Sequence, residues 1–153
     1  MALKINNNIV RENIEDQNGN IVGTIQFDPN DETIMKSMSD IIKNLTDKIQ
    51  KQKEIGEINI DKLNNILETQ EDFENSIEDL AKINQSIDLE YEAVKETIDS
   101  FAKIFGKETM DVITGGFVSL NNLKPLIEFI SPYIKESRKA QTDKYLSNNS
   151  NVL

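Results

Sequence analysis

Apolar positions along the chain change their period twice, and each change marks an element. Ile21, Gly23, Ile25 and Phe27 alternate with Val22, Thr24 and Gln26, the period of two that places one set of side chains on one face of a strand. Upstream, Ile9-Val10-Arg11-Glu12-Asn13-Ile14 offers a partner strand. Between them lies Asn18-Gly19, two residues that tolerate positive φ and so close tight hairpins. A β-hairpin within residues 1–28 is predicted. After it the period becomes helical. Asp28 can cap free backbone N–H groups, Pro29 suits the first helical position, and Asp31 and Glu32 complement the positive end of the dipole. Ile34, Met38, Ile41, Ile42, Leu45 and Ile49 follow at steps of three and four, giving one apolar stripe. The spacing predicts a helix over 29–52, with Ile25 and Phe27 buried against part of that stripe.

The middle of the chain is the most regular. Leu63, Ile66, Gln70, Phe73, Ile77, Leu80, Asn84, Ile87, Tyr91, Val94, Ile98, Phe101 and Phe105 keep alternating steps of three and four, a heptad seam. A long or kinked helix over 57–105 is predicted. Its seam segment, read straight, spans about 65 Å, against a radius of gyration of about 15 Å for a compact chain of this length. The protein is therefore elongated or oligomeric, or the helix bends at Thr69–Asp72 or Asn84–Ser86, where polar side chains offer local caps. The seam has two readings. Phe73, Ile77, Leu80, Ile87, Tyr91 and Val94 mediate self-association or hold a partner helix, or they pack inside an antiparallel helical hairpin of one molecule.

Gly106 closes this helix in the left-handed conformation. A short helix over 107–114 ends at Gly115-Gly116. Ser119 or Asn122 caps a last helix over 120–140, whose apolar positions are Leu123, Leu126, Ile127, Ile130 and Ile134. Pro125 is tolerable in its first turn, and Pro132 is expected to kink it. Residues 141–153 are polar with little to bury and read as a disordered tail. The fold class is mainly α with a small N-terminal β-hairpin (α+β), an elongated helical bundle or helical hairpin in one domain over 1–140.

Composition narrows the chemistry. Among 153 residues there is no cysteine, histidine or tryptophan, which excludes a disulfide, a Cys/His zinc site and any nucleophile–histidine dyad. Asp28–Glu32 opens like a calcium loop, but Thr33 stands where the loop needs glycine and Ser39 where it needs glutamate. Gly115-Gly116 lacks the lysine and spacing of a phosphate loop. No catalytic residue, metal or cofactor is assigned. The net charge of −10 argues against nucleic acid as a partner. The negative excess sits in residues 54–99, which hold 14 acids and 3 bases. That region is a solvated face, a docking face for a basic partner, or a mimic of DNA. The N-terminus has no apolar core of a signal peptide and no segment is apolar enough to span a membrane, so a soluble cytoplasmic protein is expected.

Three segments together resemble a known family. They are Ile21-Val-Gly-Thr-Ile-Gln-Phe-Asp-Pro-Asn-Asp31, then Ile98-Asp-Ser-Phe-Ala-Lys-Ile-Phe-Gly106, then Met110-Asp-Val-Ile-Thr-Gly-Gly116 followed by Asn121-Asn-Leu and an apolar helix reaching Phe129-Ile130. Their order resembles the tail assembly chaperones of long-tailed phages and prophages of low-GC Gram-positive bacteria. The resemblance implies a non-enzymatic, nucleotide-independent chaperone. Such a protein binds the helical tape measure protein and keeps it soluble until the tail tube polymerises, with tail tube protein as a second partner. It implies action in the host cytoplasm and absence from the mature virion. Leu123, Leu126, Ile127 and Ile130, on the helix after the Gly-Gly turn, are then the expected partner-binding residues. A coiled-coil structural or oligomerisation protein and an acidic DNA-mimic regulator are the alternatives.

Overall fold

In the computed structural model, residues 1–3, 8–57 and 73–150 are described, with side-chain surroundings for 1–3, 8–54 and 81–146. The order is β1 (Val10–Glu15), β2 (Ile21–Phe27), α1 (Glu32–Glu57), α2 (Phe73–Phe105), α3 (Lys107–Thr114) and α4 (Leu120–Ser150). The chain is mainly α with a small N-terminal hairpin, as the pattern predicts. β1 and β2 pair antiparallel from Val10↔Phe27 to Ile14↔Gly23, with an irregularity between Ile14 and Glu15. Gly19 takes a φ of 80° in the connecting turn. Asp16 fixes that turn by accepting the N–H groups of Asn18 and Asn20, each at 2.9 Å.

The entry to α1 differs from expectation by one turn. Asp31, not Asp28, is the cap: its Oδ1 accepts the N–H groups of Thr33 and Ile34 at 3.1 and 3.2 Å. Asp28 instead accepts the N–H of Asn30 at 2.9 Å, and Pro29 sits in this preceding turn. Two aspartates spaced three apart compete for one job, and the one nearer the apolar stripe wins. Met35, Met38 and Leu45 of α1 are buried, with Ile34, Ile41, Ile42 and Ile49 packed around them.

Phe27, at the end of β2, joins the layers. Its ring meets Phe105 of α2 and Phe129 of α4 edge-on at 6.3 Å, and Tyr133 of α4 at 5.2 Å. Edge-to-face pairs at these separations exceed the value of their buried area alone. Phe27 lies just before α1 and touches the last turn of α2, while Lys48 further along α1 pairs with Glu96 further back in α2. The two helices therefore run antiparallel. Gly106 has φ 93° and ψ 153°, so it turns the chain between α2 and α3 with a positive φ outside the left-handed helical well.

α4 corrects the reading of the C-terminus. It continues to Ser150, so residues 141–150 of the expected disordered tail are helical, and 151–153 lie outside the described residues. Residues 135–146 carry no glycine or proline and are rich in Lys, Arg, Ala, Glu and Gln, residues that hold a helix without burial. Pro125 and Pro132 both lie inside this helix. The hydroxyl of Ser131, beside Pro132, donates to the carbonyl of Ile127. The bend expected at Thr69–Asp72 lies outside the described residues, whereas α2 is helical through Asn84–Ser86.

Phe101 is fully buried and stacks on Phe105 at 6.1 Å. Replacing it by alanine is expected to cost about 3–5 kcal/mol, whereas Ile87→Ala on the same helix should change stability by less than about 0.5 kcal/mol. Denaturant unfolding of both variants measures the difference.

Candidate functional site

The two readings of the α2 seam divide along its length. At its C-terminal end the seam is core: Val94 and Phe101 are buried, and Ile98 and Phe105 pack against the cluster. One turn further back it leaves the core. Ile87 is 56% exposed and Tyr91 51% exposed. Between residues 86 and 97 α2 buries the seam residue Val94 together with Ser86, Ala93 and Thr97, each of these three one helix position away from the seam, or about 100° of rotation. Thr97 satisfies its hydroxyl within the helix by donating to the Ala93 carbonyl at 2.7 Å. Ile87 and Tyr91 are left on the outer shoulder. Phe73, Ile77 and Leu80 continue the same spacing toward the N-terminus of α2, and their side chains lie outside the described residues.

The shoulder is set in charge. Asp88, Glu92 and Asp99 follow Ile87 and Tyr91 around the helix, with Lys95 among them, and all four are exposed. An apolar strip with an acidic border is the form in which a helix accepts another amphipathic helix bearing basic flanks. Heptad spacing located this strip; it could not tell which of two adjacent stripes faces inward, since Ser, Ala and Thr carry no hydrophobic signal.

The four residues expected to bind a partner on the last helix do something else. Leu123, Leu126 and Ile130 are buried and Ile127 is half-buried. They form the core face of α4 in this fold. α4 packs on both α1 and α3, and Leu123, Leu126 and Ile130 join the same core cluster as Met35, Met38 and Met110.

A second surface was not visible in the sequence. The hairpin, α3 and the start of α4 enclose an open groove of about 870 Å³. Ile25 and Leu126 belong to its lining, and Phe117, 70% exposed, stands at its lip. The turn that presents Phe117 is tied on several sides. Gly115 is left-handed with φ 64°, and Gly116 has φ 80°. The Phe117 N–H donates to the Thr114 carbonyl at 3.3 Å, and Asn122 Nδ2 donates to the same carbonyl at 2.8 Å. The hairpin wall lies close to α3 because Gly23 has no side chain: a Cβ there would sit 3.2 Å from Val112 Cγ1. Glu12, Glu15, Asp16 and Asp111 line the groove, and no lysine or arginine does among the described residues.

No cluster of three potential metal-ligating side chains occurs among the described residues, and none of their helices is long and apolar enough to cross a membrane. Comparison of the chain with protein-family models, with characterised proteins and with solved structures gives no match.

Backbone N–H donation, chiefly from Asn20, holds the Asp16 carboxyl below its ordinary 3.8. A depressed carboxyl lends stability that is present above the unfolded value and is lost as pH falls through the folded one. The amides of Asn18 and Asn20 should therefore titrate together, with a midpoint below 3.8, in an NMR acid titration. Asp16→Asn should abolish that shared step.

Proposed function

We propose that this chain is a non-enzymatic tail assembly chaperone that binds the helical tape measure protein and keeps it soluble in the host cytoplasm until tail tube polymerisation. The observation that carries this reading is the outward placement of Ile87 and Tyr91, one turn apart on the longest described helix, beside a band of carboxylates. A long helical client exposes apolar stripes that aggregate in water, and a helix with its own uncovered stripe shields them. The acidic border favours client segments flanked by lysine and arginine, and it disfavours indiscriminate apolar association. Many modest contacts of this kind can be displaced in turn by tail tube protein, which a few deep anchors would resist. On this reading the protein leaves before the virion matures.

A coiled-coil oligomerisation protein is the second reading, and the same face favours it. Charge weighs against it as the principal use. A symmetric pairing of two α2 shoulders brings Asp88, Glu92 and Asp99 of each copy near their equivalents, and like charges across a helix pair destabilise it.

Co-expression with a tape measure protein tests the proposal. The wild-type chain should keep that protein in the soluble fraction and elute with it. Ile87→Asp combined with Tyr91→Asp should weaken the complex by about 2 kcal/mol or more, roughly thirtyfold, with helicity unchanged because both side chains are exposed. A client that is equally soluble with and without this chain overturns the chaperone reading. A complex indifferent to the double substitution overturns the choice of face.

A further inference from the structure

The face of the hairpin that enters the core carries a charge. Cross-strand partners share a face, so the register puts Val10, Glu12 and Ile14 of β1 beside Phe27, Ile25 and Gly23 of β2. Phe27 and Ile25 are buried, and Val10 and Ile14 pack against the core, but Glu12 is exposed. It stands where alternation would put a third apolar side chain. Glu12 instead lines the groove between the hairpin, α3 and the start of α4, together with Glu15, Asp16 and Asp111. Asp16 is occupied with the turn amides. Glu12, Glu15 and Asp111 form no ion pair among the described residues. Their gathering does not follow from the charge of the whole chain. Outside residues 54–99 the sequence holds 13 acids and 14 bases. Arg11, Lys107 and Lys124 lie on the elements that build the groove, yet none of them lines it.

Apolar surface lies uncovered beside these carboxylates. Val22, Val112 and Phe117 line the groove and are exposed. The irregularity between Ile14 and Glu15 leaves Val22 as the extra residue of β2, and such a bulge re-aims a side chain. A charge that only guarded the strand edge would need neither Asp111 on another element nor this apolar floor.

The spacing of the charges selects the ligand. Glu12 and Glu15 are about 10 Å apart along β1, at about 3.3 Å per residue, too far for one cation to touch both. Two cations on one chain can. β1 pairs with β2 alone, and the consecutive residues Glu12 to Glu15 line the groove. Successive side chains of a strand point to opposite faces, so an unbroken run of lining residues means that the open edge of β1 borders the groove. An open edge receives an extended chain through main-chain hydrogen bonds. We infer that the groove docks an extended segment of a partner protein in which lysines or arginines, about three positions apart, flank a large apolar side chain. The cations meet Glu12, Glu15 and Asp111, and the apolar side chain lies among Val22, Val112 and Phe117. This contact uses neither Ile87 nor Tyr91, so it goes beyond the chaperone reading and stands or falls independently of it.

Fluorescence anisotropy of the full chain with a labelled synthetic peptide is the test, the peptide carrying two lysines about three positions apart around a leucine. Binding should saturate and weaken as salt rises. The same peptide with glutamate for both lysines should bind about tenfold more weakly or worse, and Glu12→Lys with Asp111→Lys should weaken the lysine peptide by a similar factor. Phe117→Ala should also weaken it, while leaving its salt dependence in place. All three side chains are exposed, and circular dichroism checks that each variant is folded. In methyl NMR of the wild-type chain the Val22 and Val112 signals should shift with the peptide and that of Ile87 should not. The inference is overturned if no saturable binding occurs, if the glutamate peptide binds as well, or if the groove variants bind as the wild type does. Shifts confined to Ile87 would place the peptide on the α2 shoulder and also overturn it. So would self-association of the chain that Phe117→Ala abolishes, since a second copy would then fill the groove.

Discussion

A helix can turn only one stripe toward its neighbour, and α2 has two to choose from. One is apolar and bulky, running through Ile87 and Tyr91; the other is Ser86, Ala93 and Thr97. Between residues 86 and 97 the chain buries the second, together with Val94 of the first. Small side chains at a helix contact allow two backbones to approach and gain dispersion over many close atoms. Ile87 lies within about 20° of Val94 around α2, yet Val94 is buried and Ile87 exposed, so the stripe reaches the surface where the core that covers Val94 ends.

The other end of the molecule is held by Phe27. A hairpin of two strands is marginal alone, and this one is anchored where Phe27 meets rings from α2 and α4. With Gly23 allowing α3 to lie against β2, the hairpin becomes the wall of a groove. The wall, the Gly115-Gly116 turn and the first turns of α4 are local consequences of glycine and threonine placement. The groove is nonetheless a property of all three together.

Much of this was legible in the chain. Alternation from Ile21 to Phe27 and the Asn18-Gly19 turn gave the hairpin; glycine at 106 and at 115 gave the bounds of α3 to the residue. Other features depend on information that periodicity does not contain. How far back along α2 the core extends, burying Val94 and leaving Ile87 exposed, is not contained in the period of the seam. Asp31 displaced Asp28 as the cap because the apolar stripe, not the proline, fixes where the helix begins. Residues 141–150 were read as disordered for want of anything to bury, yet helix propensity carries α4 through them. Position alone marks Leu123, Leu126, Ile127 and Ile130 as a binding surface, whereas packing on α1 and α3 buries Leu123, Leu126 and Ile130. The groove, built from residues far apart in sequence, had no linear signal at all.

The central claim is that the outward seam of α2, and not the apolar stripe of α4, meets a helical client. Methyl NMR on isoleucine- and leucine-labelled protein, titrated with segments of the tape measure protein, addresses it directly. The account predicts that the Ile87 methyl signal shifts or broadens on binding while those of Leu123 and Ile130 hold their positions. Perturbation of Leu123 and Ile130 with Ile87 unchanged would contradict it.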